Sequence, residues 1–403
     1  MNKKRALAAW TTAALVLGAG VASAQDNTFK VFWKDGVRFE SVDGNFKVKM
    51  GGRLMYDAAF FTQDNDNESS YGEMHDGSEF RRARIETDAT IYERFLFKIQ
   101  YDFADGGSAL KDAYVGITAI PYLGRVRIGQ SYEAISLDQL TSSKYSEFME
   151  RGLTTTFAGD RNPGINFNNA FFGDRLTYAV GVFRTAGDSG NTDGDGTWSI
   201  TGRLTGLPWY QEENKFLHVG LATRYADVAG TTRFRARPEA HLAETVADTG
   251  NFEVTNYVTL GPEAAFVYGP FSLQGEYMYT TTDAPVYDDP DFHAYTFSAS
   301  YWLTGESRNF KTDIAEFDRV KPKRNLFQSG GLGAWEVALR YSNLDLDDEL
   351  ISGGKISDVT VGLNWQWNPN MRMMVNYVHS DIEDESGLNG SMNTYQARWQ
   401  VDF

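Results

Sequence analysis

Apolar and polar residues alternate with a period of two along most of this 403-residue chain. From Phe46 onward the even-numbered positions include Val48 and Leu54, whereas the odd-numbered positions include Lys49 and Arg53. A period of two places successive side chains on opposite faces of a β-strand. The alternating runs are about ten residues long, which is the length that a tilted strand needs to cross the apolar core of a bilayer. The pattern therefore predicts membrane-spanning strands.

Strands inside a bilayer must pair all of their backbone groups, and only a closed barrel does so. We therefore expect an all-β protein, a 16-stranded antiparallel transmembrane β-barrel around an aqueous channel. Short links such as Gly173-Asp174 and Gly269-Pro270 alternate with long connections, as periplasmic turns alternate with external loops. A soluble β-sandwich also alternates, but its strands are typically shorter, at about five or six residues. The sixteen strands are expected at residues 46–61, 79–92, 94–104, 109–119, 124–131, 164–172, 175–185, 197–207, 215–226, 262–268, 271–281, 293–304, 334–344, 356–367, 371–381 and 393–403.

The first 24 residues have the pattern of a secretory signal peptide. Three basic residues at positions 3–5 precede an apolar run over 6–19, and small residues at 22–24 supply a cleavage site. The mature barrel chain is expected to begin at Gln25, with an N-terminal periplasmic segment over 25–45. A membrane-anchor helix is the alternative, but the run is short and diluted by Thr and Gly. No later stretch of 18 apolar residues is present, so no transmembrane helix is expected.

Acidic residues are concentrated in five windows that contain no Lys or Arg. These windows, at residues 64–76, 188–195, 283–291, 345–349 and 381–385, hold 20 of the 54 acids of a chain whose formal net charge is −16. Each window is rich in Asn, Ser, Gly or Pro and interrupts the alternation, so we expect acidic external loops. The rest of the mature chain is nearly neutral, so the overall negative charge does not exclude an anionic ligand.

The connection over 131–161 carries much apolar surface for an external loop. Ser136, with Gln139 three residues later, forms a capping-box start to a short helical segment, and four large apolar residues follow between 137 and 149. In a wide barrel that surface can be buried against the inner wall. We therefore expect a constriction loop that presents Ser142-Ser143-Lys144 to the pore. An external helical lid is the alternative.

The connection over 227–261 carries Arg233, Arg235 and Arg237 at alternate positions. In an extended segment they would share one face, about 6.6–6.8 Å apart. Like charges at this spacing repel unless an anion is shared between them, and guanidinium groups suit oxyanions. We expect an anion-steering ladder, with a solvated basic face or a lipopolysaccharide contact as the alternative.

A third basic group lies in the connection over 305–333, which the strand count places on the periplasmic side: Lys311, Arg319, Lys321, Lys323 and Arg324.

Catalytic motifs are absent. The chain has no cysteine, which excludes disulfides, zinc-thiolate sites, iron–sulfur clusters and cysteine nucleophiles. Its five histidines have no metal-ligand spacing, and neither G-x-S-x-G nor a P-loop is present. No enzyme activity, cofactor, metal or nucleic-acid partner is expected. An intramembrane hydrolase built from wall residues would need no such motif and stays open as an alternative.

With these residues in view, the mature chain resembles the phosphate-selective porins O and P of Gram-negative outer membranes. The order of six segments, rather than any one of them, carries the resemblance: 46–54, 80–84, 110–114, 140–144 with 148–151, 233–239 and 398–403. It implies a homotrimer of 16-stranded barrels, an inward-folded third loop, an arginine ladder and a basic cluster at the periplasmic exit. It further implies a central anion site formed by Arg53, Arg81, Arg82, Arg84, Asp112, Ser142, Ser143 and Lys144.

The chain departs from the family pattern at two points. Gln139 stands where a lysine is expected, and the ladder has only three clear rungs. Both departures weaken the expectation of tight phosphate binding, so another oxyanion or a larger organic anion stays open.

The expected function is a water-filled, anion-selective outer-membrane channel for passive uptake of phosphate or related oxyanions, surrounded by outer-membrane lipid and lipopolysaccharide. A general or other-nutrient porin and a non-conducting structural barrel are the alternatives.

Overall fold

The computed structural model describes residues 28–186, 190 and 196–403. The expected signal peptide at residues 1–24 and almost all of the acidic window at 188–195 lie outside these ranges. Among the helices of the described residues, none is long and apolar enough to cross a membrane.

Sixteen antiparallel strands form one closed barrel. Each strand pairs with the next along the chain, and the last pairs with the first, with Asp402 opposite Arg53. Closure leaves no open edge among these strands, as a bilayer requires. The barrel strands are β3 (Phe46–Gln63), β4 (Gly77–Ile91), β5 (Phe95–Asp102), β6 (Ala109–Ile120), β7 (Gly124–Tyr132), β8 (Arg161–Phe171), β9 (Leu176–Arg184), β10 (Trp198–Glu212), β11 (Lys215–Asp227), β16 (Asn256–Tyr268), β17 (Phe271–Asp283), β18 (Asp291–Trp302), β21 (Ala334–Asp348), β22 (Ile351–Asn368), β23 (Met371–Glu383) and β24 (Asn389–Asp402).

The predicted fold class and all sixteen predicted strands are confirmed. The largest boundary differences are at β16, which begins at Asn256 rather than 262, at β10, which ends at Glu212 rather than 207, and at β22, which begins at Ile351 rather than 356. The extension of β16 continues the outward apolar residues with Val258 and Leu260, whereas the extension of β22 lies beyond them. The backbone groups of β22 continue the ladder outside the bilayer core, where no apolar face is needed.

Side chains alternate between an exposed apolar face and a buried polar face. On β3, Leu54 and Phe60 are exposed, whereas Arg53 and Asp57 are buried. In a membrane barrel the apolar face is the outer one, and the polar face lines the interior. The predicted division of even and odd positions on this strand is therefore confirmed.

The N-terminal segment forms a hairpin of two strands that the sequence pattern did not predict. The strands β1 (Phe29–Trp33) and β2 (Val37–Ser41) pair with each other, and β2 pairs with β3, with Val37 opposite Met50. On the same edge of β3, β2 pairs with residues 47–50 and β24 pairs with residues from Arg53 onward. The hairpin therefore continues the sheet beyond the C-terminal end of β24.

Connections at the two ends of the barrel differ in length. At one end lie short turns such as 213–214, 269–270 and 369–370, together with the long connection from β18 to β21. That connection contains the paired strands β19 (Asn309–Lys311) and β20 (Glu316–Asp318).

At the other end most connections are longer. The first contains helix α1 (Asn65–Tyr71), which begins at the N-cap Asp64. The connection between β11 and β16 contains four short paired strands, β12 (Thr231–Thr232), β13 (Arg235–Ala236), β14 (Ala247–Asp248) and β15 (Phe252–Glu253). We call these two ends periplasmic and external.

Candidate functional site

A cavity of about 380 Å³ lies among the interior side chains and has a strong excess of positive charge. Twelve Lys or Arg residues but only five Asp or Glu residues line it in the described part of the chain. The basic residues are Lys49, Arg53, Arg82, Arg84, Lys98, Arg125, Arg127, Lys144, Arg151, Arg161, Arg203 and Lys311, and the acidic residues are Glu86, Asp88, Asp112, Asp313 and Glu316.

Residues 133–160, between β7 and β8, are fixed to the buried face of the wall. Helix α2 (Leu137–Leu140) starts at Ser136, whose hydroxyl accepts from the backbone N–H of Gln139 at 3.0 Å, as the capping pattern predicted. The same hydroxyl donates to Glu276 on β17 at 2.6 Å. Phe148, which follows the helix, is also buried. These contacts hold the segment against the opposite strands.

The C-terminal half of this segment is fixed in the same way. The N–H of Met149 donates to Asn376 on β23 at 2.8 Å, and the N–H of Leu153 donates to Ser342 on β21 at 2.9 Å. The Ser142-Ser143-Lys144 sequence lies between the two anchored halves and lines the cavity.

A β-bulge turns two consecutive arginines toward the interior. In the β3–β4 ladder, Arg82 lies opposite Met55 and Phe80 lies opposite Tyr56, so Arg81 is left without a partner. A bulge of this kind breaks the strict alternation of faces. Arg82 reaches the cavity, whereas Arg81 forms a two-pronged ion pair with Glu150, at 2.9 Å for each contact.

Arg82 has little compensation for its charge. It is 5 % exposed, and among the described residues its one side-chain hydrogen bond is to the sulfur of Met55 at 3.6 Å. No carboxylate of the described residues lies within ion-pair distance of it. A buried guanidinium without an anionic partner is costly, so this group favours an anion in the cavity.

Arg53 brings the loop and the wall together. Its Nη1 donates to the hydroxyl of Ser143 at 2.8 Å and contacts Ser142 at 3.4 Å, and its Nη2 lies 3.5 Å from Glu86. Its Nε is buried and has no partner among the described residues. Lys144 forms an ion pair with Glu86 at 2.8 Å. Burial first, and then the charge of Arg53, lower the pKa of Lys144 to about 8.

Seven of the eight residues predicted for the central site line this cavity, and Arg81 is the exception. Four of the seven are paired with neighbours: Arg53 and Lys144 with Glu86 at 3.5 and 2.8 Å, Arg84 with Asp102 at 2.6 Å, and Asp112 with Arg161 at 2.8 Å. Gln139, the departure from the family pattern, does not line the cavity. Its side chain is buried and contacts the carbonyl of Gly159 at 3.4 Å.

Several cavity residues on the wall carry no motif that predicts them from the sequence. Lys98, Arg125, Arg127 and Arg203 lie on interior positions of β5, β7 and β10. Their signal was present, because each occupies a polar position of an alternating strand. No motif marks them, and only the register of the barrel brings them to one level.

Arg233, Arg235 and Arg237 are all exposed on one face, and Phe234 between them is buried against Phe157 and other aromatic residues. An acidic side chain, and not only a shared anion, compensates their charge, so that part of the prediction is wrong. Arg233 forms an ion pair with Asp248, and Arg235 lies opposite the same residue in the β13–β14 pair.

Of these three arginines, Arg233 lines a second cavity. This cavity has a volume of about 480 Å³ and is also lined by Lys111, Arg161 and Arg224. Arg235 and Arg237 do not line it.

The third basic group is divided. Lys311 lines the central cavity and pairs with Asp318 at 3.0 Å. Arg319 is buried in ion pairs with Asp402 and Asp35. The last three members, Lys321, Lys323 and Arg324, are exposed at the periplasmic rim.

Comparison with known proteins agrees with this architecture. The family model described as phosphate-selective porin O and P matches residues 48–403. Porin O of Pseudomonas aeruginosa is 27% identical over 92% of this chain and 91% of its own length. An uncharacterised protein of Caulobacter vibrioides is also 27% identical, over 93% of this chain and 77% of its own.

Solved structures share the fold. The outer-membrane channel DcaP of Acinetobacter baumannii has a TM-score of 0.56 at 14% identity, covering 91% of this chain and 99% of its own. The anion-selective porin of Comamonas acidovorans has a TM-score of 0.55 at 15% identity, and the match covers 89% of this chain and 100% of that porin. Because the family model covers nearly the whole barrel, the chain belongs to the phosphate-selective porin O and P family.

Proposed function

We propose that the chain forms a water-filled, anion-selective pore through which phosphate or related oxyanions diffuse passively. As a member of its family, it is an outer-membrane porin of a Gram-negative bacterium, and a channel rather than an enzyme. The observation that carries the proposal is the excess of twelve basic over five acidic residues in the central cavity. Within low-dielectric walls, such an excess concentrates anions and repels cations.

Residues 131–161 are the constriction loop of this proposal. Four observations support an inward position: the contacts of Ser136, Met149 and Leu153 with interior side chains of β17, β23 and β21, and the bond of Arg53 to Ser143. A loop attached to opposite walls narrows the pore to the cavity described above. The expected alternative, an external lid, would not make contacts at this depth.

Arg82 and Arg53 form the anion site of this constriction. Both retain donor capacity, since Arg82 bonds only to a sulfur and the Nε of Arg53 has no partner in the described residues. An oxyanion could accept from both guanidinium groups and from the Ser142 and Ser143 hydroxyls.

Most of the remaining arginines and lysines of the cavity form ion pairs with acidic side chains, so each of them attracts an anion weakly. Conduction requires sites that also release the ion, and several weak sites in series meet this need better than one tight site. Lys311, with Lys321 and Lys323 at the rim, extends the positive path toward the periplasm.

The names of relatives support the ionic selectivity and the assembly. One solved neighbour is described as anion-selective, and the family description names phosphate. An OmpT structure of Vibrio cholerae, with a TM-score of 0.54 at 12% identity, is described as a trimer form. We infer a homotrimer for this chain, embedded in outer-membrane lipid beside lipopolysaccharide after cleavage of the signal peptide.

Reversal potential in a KCl gradient across a planar bilayer tests the proposal. An anion-selective potential, with chloride current blocked by added phosphate, is the expected result. Anion selectivity without phosphate block would leave a general anion porin. Weak or cation selectivity would contradict the anion channel, and absence of conductance would favour a structural barrel.

A further inference from the structure

The carboxylate of Glu86 lies among several positive side chains of the central cavity. Glu86 is 3% exposed on β4 and lines the cavity. Its Oε1 is 2.8 Å from the Nζ of Lys144, and its Oε2 is 3.5 Å from the Nη2 of Arg53 and 3.9 Å from the Nζ of Lys98. The side-chain amide of Gln100 donates to the same Oε2. One carboxylate is therefore shared by two lysines, an arginine and an amide.

This set of partners is different from that of a simple ion pair. Asp88 contacts Lys98 at 3.0 Å, and Asp112 contacts Arg161 at 2.8 Å. Glu86 instead has three cations around its two oxygens. Several charged and amide donors that converge on one acidic group are the arrangement by which proteins hold a small oxyanion. The carboxylate of Glu86 thus takes up donors that an entering oxyanion would use.

The surroundings of Glu86 leave part of this donor set unused. In the barrel ladder, Glu86 lies between Gly51 on β3 and Gln100 on β5, and Gly51 has no side chain to hold the carboxylate. The Nε of Arg53 has no hydrogen-bond partner among the described residues. Arg53 therefore keeps an unused donor while it contacts Glu86.

We propose that Glu86 is a built-in competitor of the transported anion and sets the affinity of the central site. This inference rests on the proposed function, because it requires that oxyanions pass through the cavity. An entering oxyanion replaces Glu86 at Arg53 and Lys144, and the carboxylate regains these contacts when the anion leaves. A site that recovers its own counter-ion releases an anion more readily than a site left with uncompensated charges.

Competition and a purely structural role predict opposite effects of removing the carboxylate. If Glu86 only held Arg53 and Lys144 in position, its loss would disorder them and weaken anion binding. If Glu86 competes, its loss leaves these cations without their counter-ion, and the entering anion then compensates them. Phosphate should accordingly bind more tightly and leave more slowly.

Phosphate block of the chloride current tests the proposal with the isosteric variant Glu86→Gln, in the full chain in a planar bilayer at pH 6. The half-blocking phosphate concentration should fall about tenfold or more, the range for one charge-assisted hydrogen bond, and the blocked intervals should lengthen. An unchanged or higher half-blocking concentration would overturn the proposal.

The same comparison in a Lys144→Arg background excludes a change in the charge of Lys144. Burial and Arg53 lower the pKa of Lys144 to about 8, and Glu86 opposes them. Arginine stays charged when Glu86 is removed, so the gain in block by Glu86→Gln should persist in this background. A gain that disappears there would contradict competition.

Asp88→Asn is the matched control. It removes the same charge from the same cavity, two residues further along β4, but its one ion-pair partner among the described residues is Lys98. The half-blocking concentration should fall by less than about threefold, because only the general field of the pore changes. A fall as large as that of Glu86→Gln would assign the effect to net charge and overturn the proposal.

Thermal unfolding keeps the proposal testable if the variant inserts poorly. Phosphate should compensate for the missing carboxylate, so about 10 mM phosphate should raise the unfolding midpoint of Glu86→Gln in detergent more than that of the parent. An equal or smaller rise would contradict competition. So would a variant that does not fold even with phosphate, if Glu86→Asp folds and is blocked like the parent.

The outcomes separate this inference from the proposed function. A parent that is anion-selective and blocked by phosphate, with a Glu86→Gln variant blocked no better, would overturn the competitor alone. A parent without phosphate block, with a variant that gains it, would support competition and correct the phosphate preference of the parent. Absence of block in both would contradict both.

Discussion

Arg82 is a guanidinium held in a protein interior with a thioether as its hydrogen-bond acceptor. The β-bulge at Arg81 places it there, and the neighbouring Arg81 has already taken the available carboxylate of Glu150. A buried guanidinium without an ion-pair partner binds an anion more strongly than an exposed guanidinium does. The reason is that the buried group has already lost its hydrating water when the protein folds, so anion binding does not require that loss again.

Replacing Arg82 by Gln should therefore weaken phosphate block of the chloride current by about 10–100-fold, the range for one charge-assisted hydrogen bond. Titration of single-channel current with phosphate measures this. Arg94→Gln, at an exposed periplasmic turn, is the control and should leave the block unchanged. Equal effects of the two variants would remove Arg82 from the site.

Two cavity residues outside the barrel strands should make selectivity depend on pH. Burial first, and then Arg53, lower the pKa of Lys144 to about 8, and burial raises the pKa of Glu316 to about 7. At pH 6 Lys144 is charged and Glu316 is neutral. By pH 9 Lys144 has lost its positive charge and Glu316 has gained a negative one, so both titrations reduce the positive excess.

Anion selectivity, measured as reversal potential, should accordingly fall between pH 6 and pH 9. The double variant Lys144→Arg with Glu316→Gln removes both titrations and should give a nearly flat profile. A parent profile that is flat over this range, or that rises, would show that these groups do not govern the field at the constriction.

At the scale of elements, one arginine of the last strand joins the segment over 131–161 to the wall. Arg398 is fully buried on β24 and donates to both oxygens of Asp57, at 2.7 and 2.6 Å, and to Glu150 at 2.8 Å. It therefore joins β3, β24 and the segment over 131–161. Removing it would take the ion-pair partner of Asp57 away inside the barrel and leave Glu150 with Arg81 alone.

Arg398→Ala should lower the free energy of unfolding by about 3–5 kcal/mol, the usual cost of breaking a buried ion pair. Because Glu150 would lose one of its two arginines, open-channel current noise should also increase. Thermal unfolding and single-channel recording measure the two effects, with Arg94→Ala as the exposed control. A variant as stable and as quiet as the control would mean that the segment is held by its other contacts.

The acidic hairpin between β21 and β22 belongs to the external end. Asp345 and Asp347 lie near Lys355, at 3.2 and 4.0 Å, on a part of the strands beyond the apolar band. Screening at physiological salt acts over about 8–10 Å, so these charges should not reach the constriction. The variant with Asn or Gln at Asp345, Asp347, Asp348 and Glu349 should keep the parent's reversal potential. A shift as large as that of the Arg82 variant would mean that this hairpin lies over the pore.

Elements with a regular alternation were predictable from the sequence, and irregular ones were not. All sixteen strands follow from the period of two, because lipid outside and water inside impose it on every strand. The bulge at Arg81 breaks that period by one residue, so alternation alone assigns Arg81 and Arg82 to opposite faces. Wall residues such as Arg203 could be recognised as interior, but their common level depends on the stagger between distant strands, which no local pattern encodes.

At the scale of the whole molecule, charge is sorted by position. The chain is negative overall, at −16, yet its central cavity has twelve basic and five acidic residues. Sequence composition alone would favour a cationic partner. The barrel reverses that expectation, because interior positions and external loops are separated by its wall and by the alternation of each strand.

The exposed arginines of the connection between β11 and β16 test whether positive charge outside the central cavity contributes to anion selectivity. Arg233 is paired with Asp248, but replacing Arg233, Arg235 and Arg237 by Ala still removes three positive charges from the external approach to the pore. The loss should move the reversal potential toward cation selectivity. The shift should be larger in about 10 mM salt, where the Debye length is about 30 Å, than in 1 M salt, where it is about 3 Å. The corresponding triple Lys variant keeps the charges and should retain the parent's selectivity. Unchanged selectivity of the Ala variant at low salt would show that these arginines do not steer anions and that the cavity alone sets the preference.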